Sequence, residues 1–303
     1  MIFTDIEDVA RRLQASRYIP SSRIATVVFL ATATEKPILV EGPAGVGKTE
    51  LARAVAAATD RRLIRLQCYE GLDEAKALYE WEYAKQLLYT QMVREKIGSL
   101  LADTDTIAQA VDKIAAEEDA FFSERFIQPR PLLQAILSDQ PVVLLIDEVD
   151  KADPEFEAFL LELLSDFQVT IPEIGTKTAT TRPAVFLTSN SYRDMSDALK
   201  RRCLYLYIDY PEPAVELAIV RKKIPEIDRY LLTKMIDIIG RLRRMDLKKR
   251  PCISETLDWA RSLMALSINE ITPEALATTL DVLCKHKADA DRVMPHLDEV
   301  VNG

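Results

Sequence analysis

Three of the chain's eight glycines, Gly42, Gly45 and Gly47, fall within six residues, in the string GPAGVGKT. The string runs Gly42, Pro43, Ala44, Gly45, Val46, Gly47, Lys48, Thr49, and Glu50 follows it. Its spacing is G-x-x-x-x-G-K-[ST]. Glycines let a backbone curl until successive N–H groups point inward as an anion nest. A helix opening at Lys48 would add its positive N-terminal end. Lys48 could then reach the β- and γ-phosphates of a nucleotide, and the Thr49 hydroxyl is a hard oxygen donor suited to Mg²⁺. The plain alternative is a tight turn. The flanks argue against it: a short apolar run, PILV (37–40), precedes the string, and the Ala-rich TELARAVAAAT follows.

A second constellation lies in VVLLIDEVDKAD. A metal-associated carboxylate has to sit at the C-terminal end of a buried strand, beside the phosphate loop, and Asp147 is so placed. Glu148 is the candidate general base for an attacking water; its alternative is to cap the strand end. Asp150 and Lys151 read as a solvated turn. FLTSN ends at Asn190, again at the C-terminal end of a strand, the edge along which open α/β sheets bind ligands. An amide there could hold the attacking water or a phosphate, or simply shape a turn. Arg201 and Arg202 precede the strand LYLYI (204–208). A phosphoryl-transfer transition state spreads charge over its equatorial oxygens, and a positioned arginine stabilises it. That arginine can act in its own chain or on a neighbour, or the pair can bind surface carboxylates such as Asp194 and Asp197. Arg241, Arg243, Arg244, Lys248, Lys249 and Arg250 form a basic cluster, either a solvated helix face or the source of a cation for the nucleotide.

These residues need strands to carry them. Five runs qualify: residues 37–40, 62–66, 142–146, 184–188 and 204–208. VVLLI (142–146) is a continuous apolar run of the kind buried on both faces. Helical patterns separate most of the runs, and that alternation means a parallel sheet flanked by helices. Asp153 and Pro154 open a helix with apolar residues from Phe156 to Phe167 at helical spacing. Two segments are additional to a minimal sheet: a long, helical, aromatic stretch over about 69–101, extended by an acidic helix over about 103–125, and a hairpin over 168–183 around Pro-Glu-Ile-Gly. After Pro213 the strand signals stop. Ser254 is placed to cap one helix, and Thr272 with Pro273 to open another. The expectation is an α/β nucleotide-binding domain over 1–211 and a small all-helical domain with a polar tail over 212–303.

The bulk numbers set limits. The chain has 303 residues, 48% apolar and 29% charged, which is globular composition. A net charge of −9 argues against a general nucleic-acid binder. Four scattered cysteines, with no CxxC pair and only two histidines, point to free thiols in a reducing compartment and away from zinc or disulfides. No run reaches the length of a membrane span and the N-terminus is not a signal peptide, so the expected location is the cytoplasm.

The order of phosphate loop, Asp-Glu strand, Asn strand, arginine pair and helical C-terminus resembles the AAA+ ATPases. RLQCYEGLDEAKALYEWEYAKQLL (65–88), FQVTIPEIGT (167–176) and LTSNSYRDMSDALKRRCLYLYIDYP (187–211) resemble the MoxR group within them, and especially its CoxD-like branch, associated with maturation of a molybdenum-containing carbon monoxide dehydrogenase. The likeness spans about residues 6–283. It implies ATP or ADP with Mg²⁺ as ligands. Gly42, Gly47, Lys48 and Thr49 would be Walker A, Asp147 and Glu148 Walker B, and Asn190 sensor 1. Arg201 or Arg202 would be a finger reaching the nucleotide of the next subunit in a ring, usually a hexamer. The segment from Tyr69 and the hairpin near Pro172 would be inserts facing the pore or a partner. The group commonly starts a helix of the lid with Ser-Pro-Arg, whose arginine is sensor 2. Here CISETLDWA puts Glu255 near that place, leaving Arg250 or Lys249 as substitutes.

The resemblance further implies a chaperone-like ATPase that remodels a protein client, such as a metalloenzyme, with a separate partner carrying a von Willebrand factor A domain. Two other functions compete: a DNA-associated AAA+ motor or loader, against which the acidic charge weighs, and a nucleotide switch without hydrolysis, against which Glu148 and Asn190 weigh.

Overall fold

The computed structural model describes residues 2–89, 91, 124–172 and 174–303. The acidic helix expected from about residue 103 lies outside them up to residue 123, as does Glu173 of the expected hairpin.

The chain opens with α1 (Ile6–Ala15) and α2 (Ser22–Thr34), then enters β1 (Ile38–Glu41). The phosphate loop leads from β1 into α3 (Lys48–Ala58), followed by β2 (Arg62–Gln67). A short excursion follows, α4 (Glu74–Leu78) and β3 (Tyr79–Trp81), which pairs antiparallel with β4 (Ile127–Pro129). Within the stretch read as helical, residues 74–78 and 83–89 are helical and the strand at 79–81 is the correction, while residues 90 and 92–101 lie outside the described ones. Tyr79 and Trp81 pack against the core beneath, which a strand allows because it sends alternate side chains to one face.

The main sheet continues through α5 (Pro131–Ile136), β5 (Val142–Asp147), α6 (Pro154–Asp166), the antiparallel hairpin β6 (Gln168–Ile171) and β7 (Gly175–Thr178), then β8 (Ala184–Ser189), α7 (Asp197–Arg202) and β9 (Leu204–Tyr207). Five strands form it in the order β2-β5-β8-β1-β9, every pair parallel. The five strand runs read from the sequence are these five strands. β5 is buried at all six positions because it lies inside the sheet with helices on both faces. Its side chains split by parity: Val142, Leu144 and Ile146 enter the core under α5 and α6, while Val143 and Leu145 enter the core under α1, α2 and α3.

Beyond β9 the described chain is helical: α8 (Pro213–Lys223), α9 (Arg229–Arg244), α10 (Ile253–Ala265), α11 (Pro273–Leu283), α12 (Lys287–Val293) and α13 (Leu297–Asn302). These helices share a third core around Trp259, which is fully buried and donates its indole N–H to Thr279 at 2.8 Å. Thr272 caps α11 as expected, but α10 starts one residue before Ser254, with Cys252 at its N-cap. There the Glu255 carboxylate accepts from the Cys252 backbone N–H at 3.1 Å.

Candidate active site

The C-terminal ends of β1, β5 and β8 meet at one place, because parallel strands leave the sheet on the same edge. From β1 the chain turns through Gly42, whose φ is +146° and whose missing Cβ leaves room for the Ile208 carbonyl. At Gly45, φ is +77°, and a Cβ there would collide with the Cys252 thiol. Only glycine meets both demands.

Lys48 closes the loop. It is 6% exposed, and its ammonium donates to the carbonyls of Gly42 and Pro43, each at 2.7 Å, and to Asn190 Oδ1 at 2.8 Å. Burial pulls its pKa below the ordinary lysine value, while the carboxylates of Asp150, Asp147 and Glu148 oppose that pull. The ammonium is therefore poorly solvated, the nearby carboxylates favour its charged form, and its direct acceptors are neutral oxygens, so a phosphate would offer it a charged partner.

Asp147, at the end of β5, is 3% exposed. Its Oδ1 accepts from the hydroxyls of Thr49 at 3.0 Å and Thr188 at 2.5 Å. Its Oδ2 accepts from Arg65 Nε at 3.0 Å and Nη2 at 2.6 Å. Glu148 follows in the left-handed region, at φ +56°, a conformation uncommon for a residue with a side chain and of the kind found at functional turns. Its Oε1 accepts from Asn190 Nδ2 at 3.2 Å. Its Oε2 accepts from Gln67 Nε2 at 2.8 Å and Lys151 Nζ at 2.6 Å. The amide of Asn190 thus bridges Lys48 and Glu148.

Asp150 corrects the reading of a solvated turn. It is 2% exposed, and its Oδ2 accepts the backbone N–H groups of Asn190 and Tyr192, both at 2.9 Å. Its Oδ1 is buried without a hydrogen-bond partner among the described residues. Asp150 anchors the loop that presents Asn190. Lys151 does lie at the surface, but its ammonium is committed to Glu148.

The two arginines before β9 differ. Arg202 donates to Ser165 Oγ at 2.7 Å and to the Ala198 carbonyl at 3.3 Å, so it ties α7 to α6. Arg201 is exposed and makes no hydrogen bond or ion pair among the described residues. Neither borders the cavity next to Lys48, and Asp194 and Asp197 are not their partners. The start of α7 is set by Glu157 on α6, whose carboxylate accepts from Ser196 N at 2.7 Å and Arg193 Nη1 at 2.8 Å.

That cavity has a volume of about 600 Å³. Its polar end carries Ala44 to Glu50, Asp147, Glu148 and Asn190; its walls carry Tyr18, Ile24, Val215, Ile219 and Leu257. A polar end with an apolar wall suits a phosphate tail with a flat base. Arg17, Arg23 and Arg53 also border it. Sequence reasoning missed them, since a lone arginine in a helix or loop carries no pattern.

The basic cluster of α9 does not reach this cavity. Arg243 makes a bidentate pair with the buried Glu216, at 2.5 and 2.8 Å, and Arg241 donates to the Val300 carbonyl. Lys249 pairs with Glu255 at 3.1 Å. Glu255, near the place of sensor 2 in the resemblance, closes the first turn of its own helix, and neither Lys249 nor Arg250 borders the cavity.

The donor set fits Mg²⁺. Thr49 and Asp147 bring a hydroxyl and a carboxylate oxygen within 3.0 Å of each other beside the lysine, and both are hard oxygens.

Residues 37–203 match the AAA domain family, dynein-related subfamily. The chain belongs to that family. It is also similar to Protein NorQ of Paracoccus denitrificans (strain Pd 1222), with 23% identity over 234 residues, which cover 76% of this chain and 73% of NorQ. With the sheet order and the phosphate loop, these matches make it an ATPase of the MoxR-like AAA+ type.

Proposed function

We propose that this cavity hydrolyses ATP with Glu148 as the base, in a ring of identical subunits that lends each site an arginine. The single observation that carries this reading is the Asn190 bridge, which puts the phosphate-binding ammonium and the candidate base on the two ends of one amide. Lys48 binds the β- and γ-phosphates through its charge. Glu148 accepts a proton from the attacking water, and Asn190 orients that water against the γ-phosphate. Ala44, Gly45, Val46 and Gly47 cradle the phosphates through backbone N–H groups, Gly42 and Pro43 shape the turn that aims them, and Glu50 holds Lys223 of α8 at 2.5 Å, linking loop to lid. Thr49 and Asp147 would hold Mg²⁺, which when bound neutralises phosphate charge.

Arg201 is the residue assigned to the neighbour's nucleotide, supported by its exposure and by its having no partner among the described residues; Arg202, also exposed, is assigned to the α6–α7 contact. Residues 212–303 act as the lid. The resemblance in residues 65–88, 167–176 and 187–211 supports a remodelling role toward a protein client, such as a molybdenum-containing dehydrogenase. It also supports a separate partner with a von Willebrand factor A domain and a hexameric ring. The four buried free thiols support work in a reducing cytoplasm. The net charge of −9 weighs against DNA as the client.

The test is the ATPase rate per subunit against protein concentration, with particle mass read in the same samples. A rate that rises as a ring of several subunits assembles supports the reading. A monomer hydrolysing at a concentration-independent rate contradicts it.

A further inference from the structure

Asp147 is saturated from two sides. Its Oδ1 takes the hydroxyls of Thr49 and Thr188, and its Oδ2 takes both Nε and Nη2 of Arg65. A carboxylate offers about four lone-pair sites, and all four are used. Arg65 lies on β2, the neighbour of β5, in the register that sets it opposite Leu145 and sets Gln67 opposite Asp147. Its guanidinium is held in place by a further bond to Gln67 Oε1, and Gln67 in turn donates to Glu148. Arg65 does not border the nucleotide cavity, whereas Thr49 and Asp147 do. The metal side of Asp147 and the arginine side are thus opposite oxygens of one buried carboxylate.

We propose that Arg65 sets the Mg²⁺ requirement of this site by sharing the charge of Asp147 from behind. This rests on the reading of Thr49 and Asp147 as the protein's metal ligands. The physical reason is direct. A cation already hydrogen-bonded to Oδ2 lowers the negative charge that a second cation meets at Oδ1, and the two cations repel each other across a group with little water around it. Arg65 therefore weakens metal binding without touching nucleotide, and it keeps a buried carboxylate satisfied whenever Mg²⁺ is not bound. It is a positioning residue that acts through Asp147.

The experiment is a Mg²⁺ titration of binding, read with a fluorescent ADP analogue, alongside its affinity in EDTA. Wild type is compared with Arg65→Met, Arg65→Gln and Asp147→Asn, each checked by thermal melting. The expected result is a half-saturating Mg²⁺ concentration about tenfold lower in Arg65→Met, the weight of one charge-assisted bond, with affinity in EDTA unchanged. Asp147→Asn raises the requirement. Should the Met variant not fold, the Gln variant, which keeps an amide donor without the charge, is read for the same decrease. If Asp147→Asn raises the requirement but the Arg65 variants leave it unchanged or raise it, Arg65 merely orients Asp147 and the inference is overturned alone. If Asp147→Asn leaves it unchanged, the metal-ligand reading fails and the inference falls with it.

Discussion

The ammonium of Lys48 donates to the side-chain carbonyl of Asn190 at 2.8 Å, across 142 residues of sequence. Two carbonyls of the phosphate loop complete its shell. All three acceptors are neutral, and a phosphate offers the ammonium a charged one instead. Lys48→Ala should therefore weaken ATP binding by at least about a hundredfold, the scale of a lost charge-assisted contact in a partly dry site. Retained micromolar affinity in a binding titration would remove the loop from the mechanism.

Glu148 is gripped by Asn190, Gln67 and Lys151, so its carboxylate has a defined position before any water arrives. Glu148→Gln keeps the shape and loses the base. ATP affinity should stay within a few-fold of wild type, while turnover falls by roughly 10²–10⁴. Normal single-turnover hydrolysis in this variant would assign the base elsewhere.

Gly45 and Cys252 join the phosphate loop to the start of α10. Gly45→Ala has to place a methyl into the thiol and hold φ near +77°. Both effects destabilise, together by about 2–4 kcal/mol. Adding Cys252→Ala should recover the steric part and leave the backbone part. Thermal melts of the single and double variants separate the two; a double variant no more stable than the single one would show that the contact is not the cause.

Glu157 fixes the first turn of the helix that carries Arg201. Burial pushes its carboxyl up, but the bonds from Ser196 and Arg193 outweigh burial and hold it below the ordinary value of 4.5. A lowered carboxyl stabilises the fold above its unfolded pKa, and that stability is lost as pH falls through the folded value. Wild type should exceed Glu157→Gln by about 2 kcal/mol at pH 7, with the gap closing as pH drops below 4.5. Denaturant melts at pH 7, 5 and 3.5 check this; a gap that stays constant would mean that the charge plays no part.

How legible these residues are follows from how local their partners are. The phosphate loop is eight consecutive residues, and its flanks announce a strand and a helix, so its chemistry is readable from sequence. Four of the five strands are readable as compact runs dominated by apolar residues, and β2 (RLIRLQ) as an alternation of apolar and polar ones. Asp150, Glu157 and Arg65 are not. Their partners lie 40, 39 and 82 residues away, and a lone carboxylate or guanidinium in a turn, helix or strand looks the same whether it is solvated or buried. The fate of Glu255 is hidden for the same reason. Its role as a cap depends on Cys252 starting the helix before Ser254 does, and helix ends are set by which donors find partners. The distinction between Arg201 and Arg202 rests on Ser165, on another helix.

The central claim is that a second copy of the chain completes the active site through Arg201. The most direct measurement mixes two variants, Arg201→Ala and Glu148→Gln, each of low activity alone, and reads ATPase rate against mixing ratio. Arg201→Ala keeps the base and Glu148→Gln keeps the arginine, so a shared site predicts that mixed rings regain activity, highest at intermediate ratios. If every mixture shows only the weighted sum of the two separate rates, although exchange of subunits is shown by labelled chains, the arginine does not act between subunits and the account is wrong.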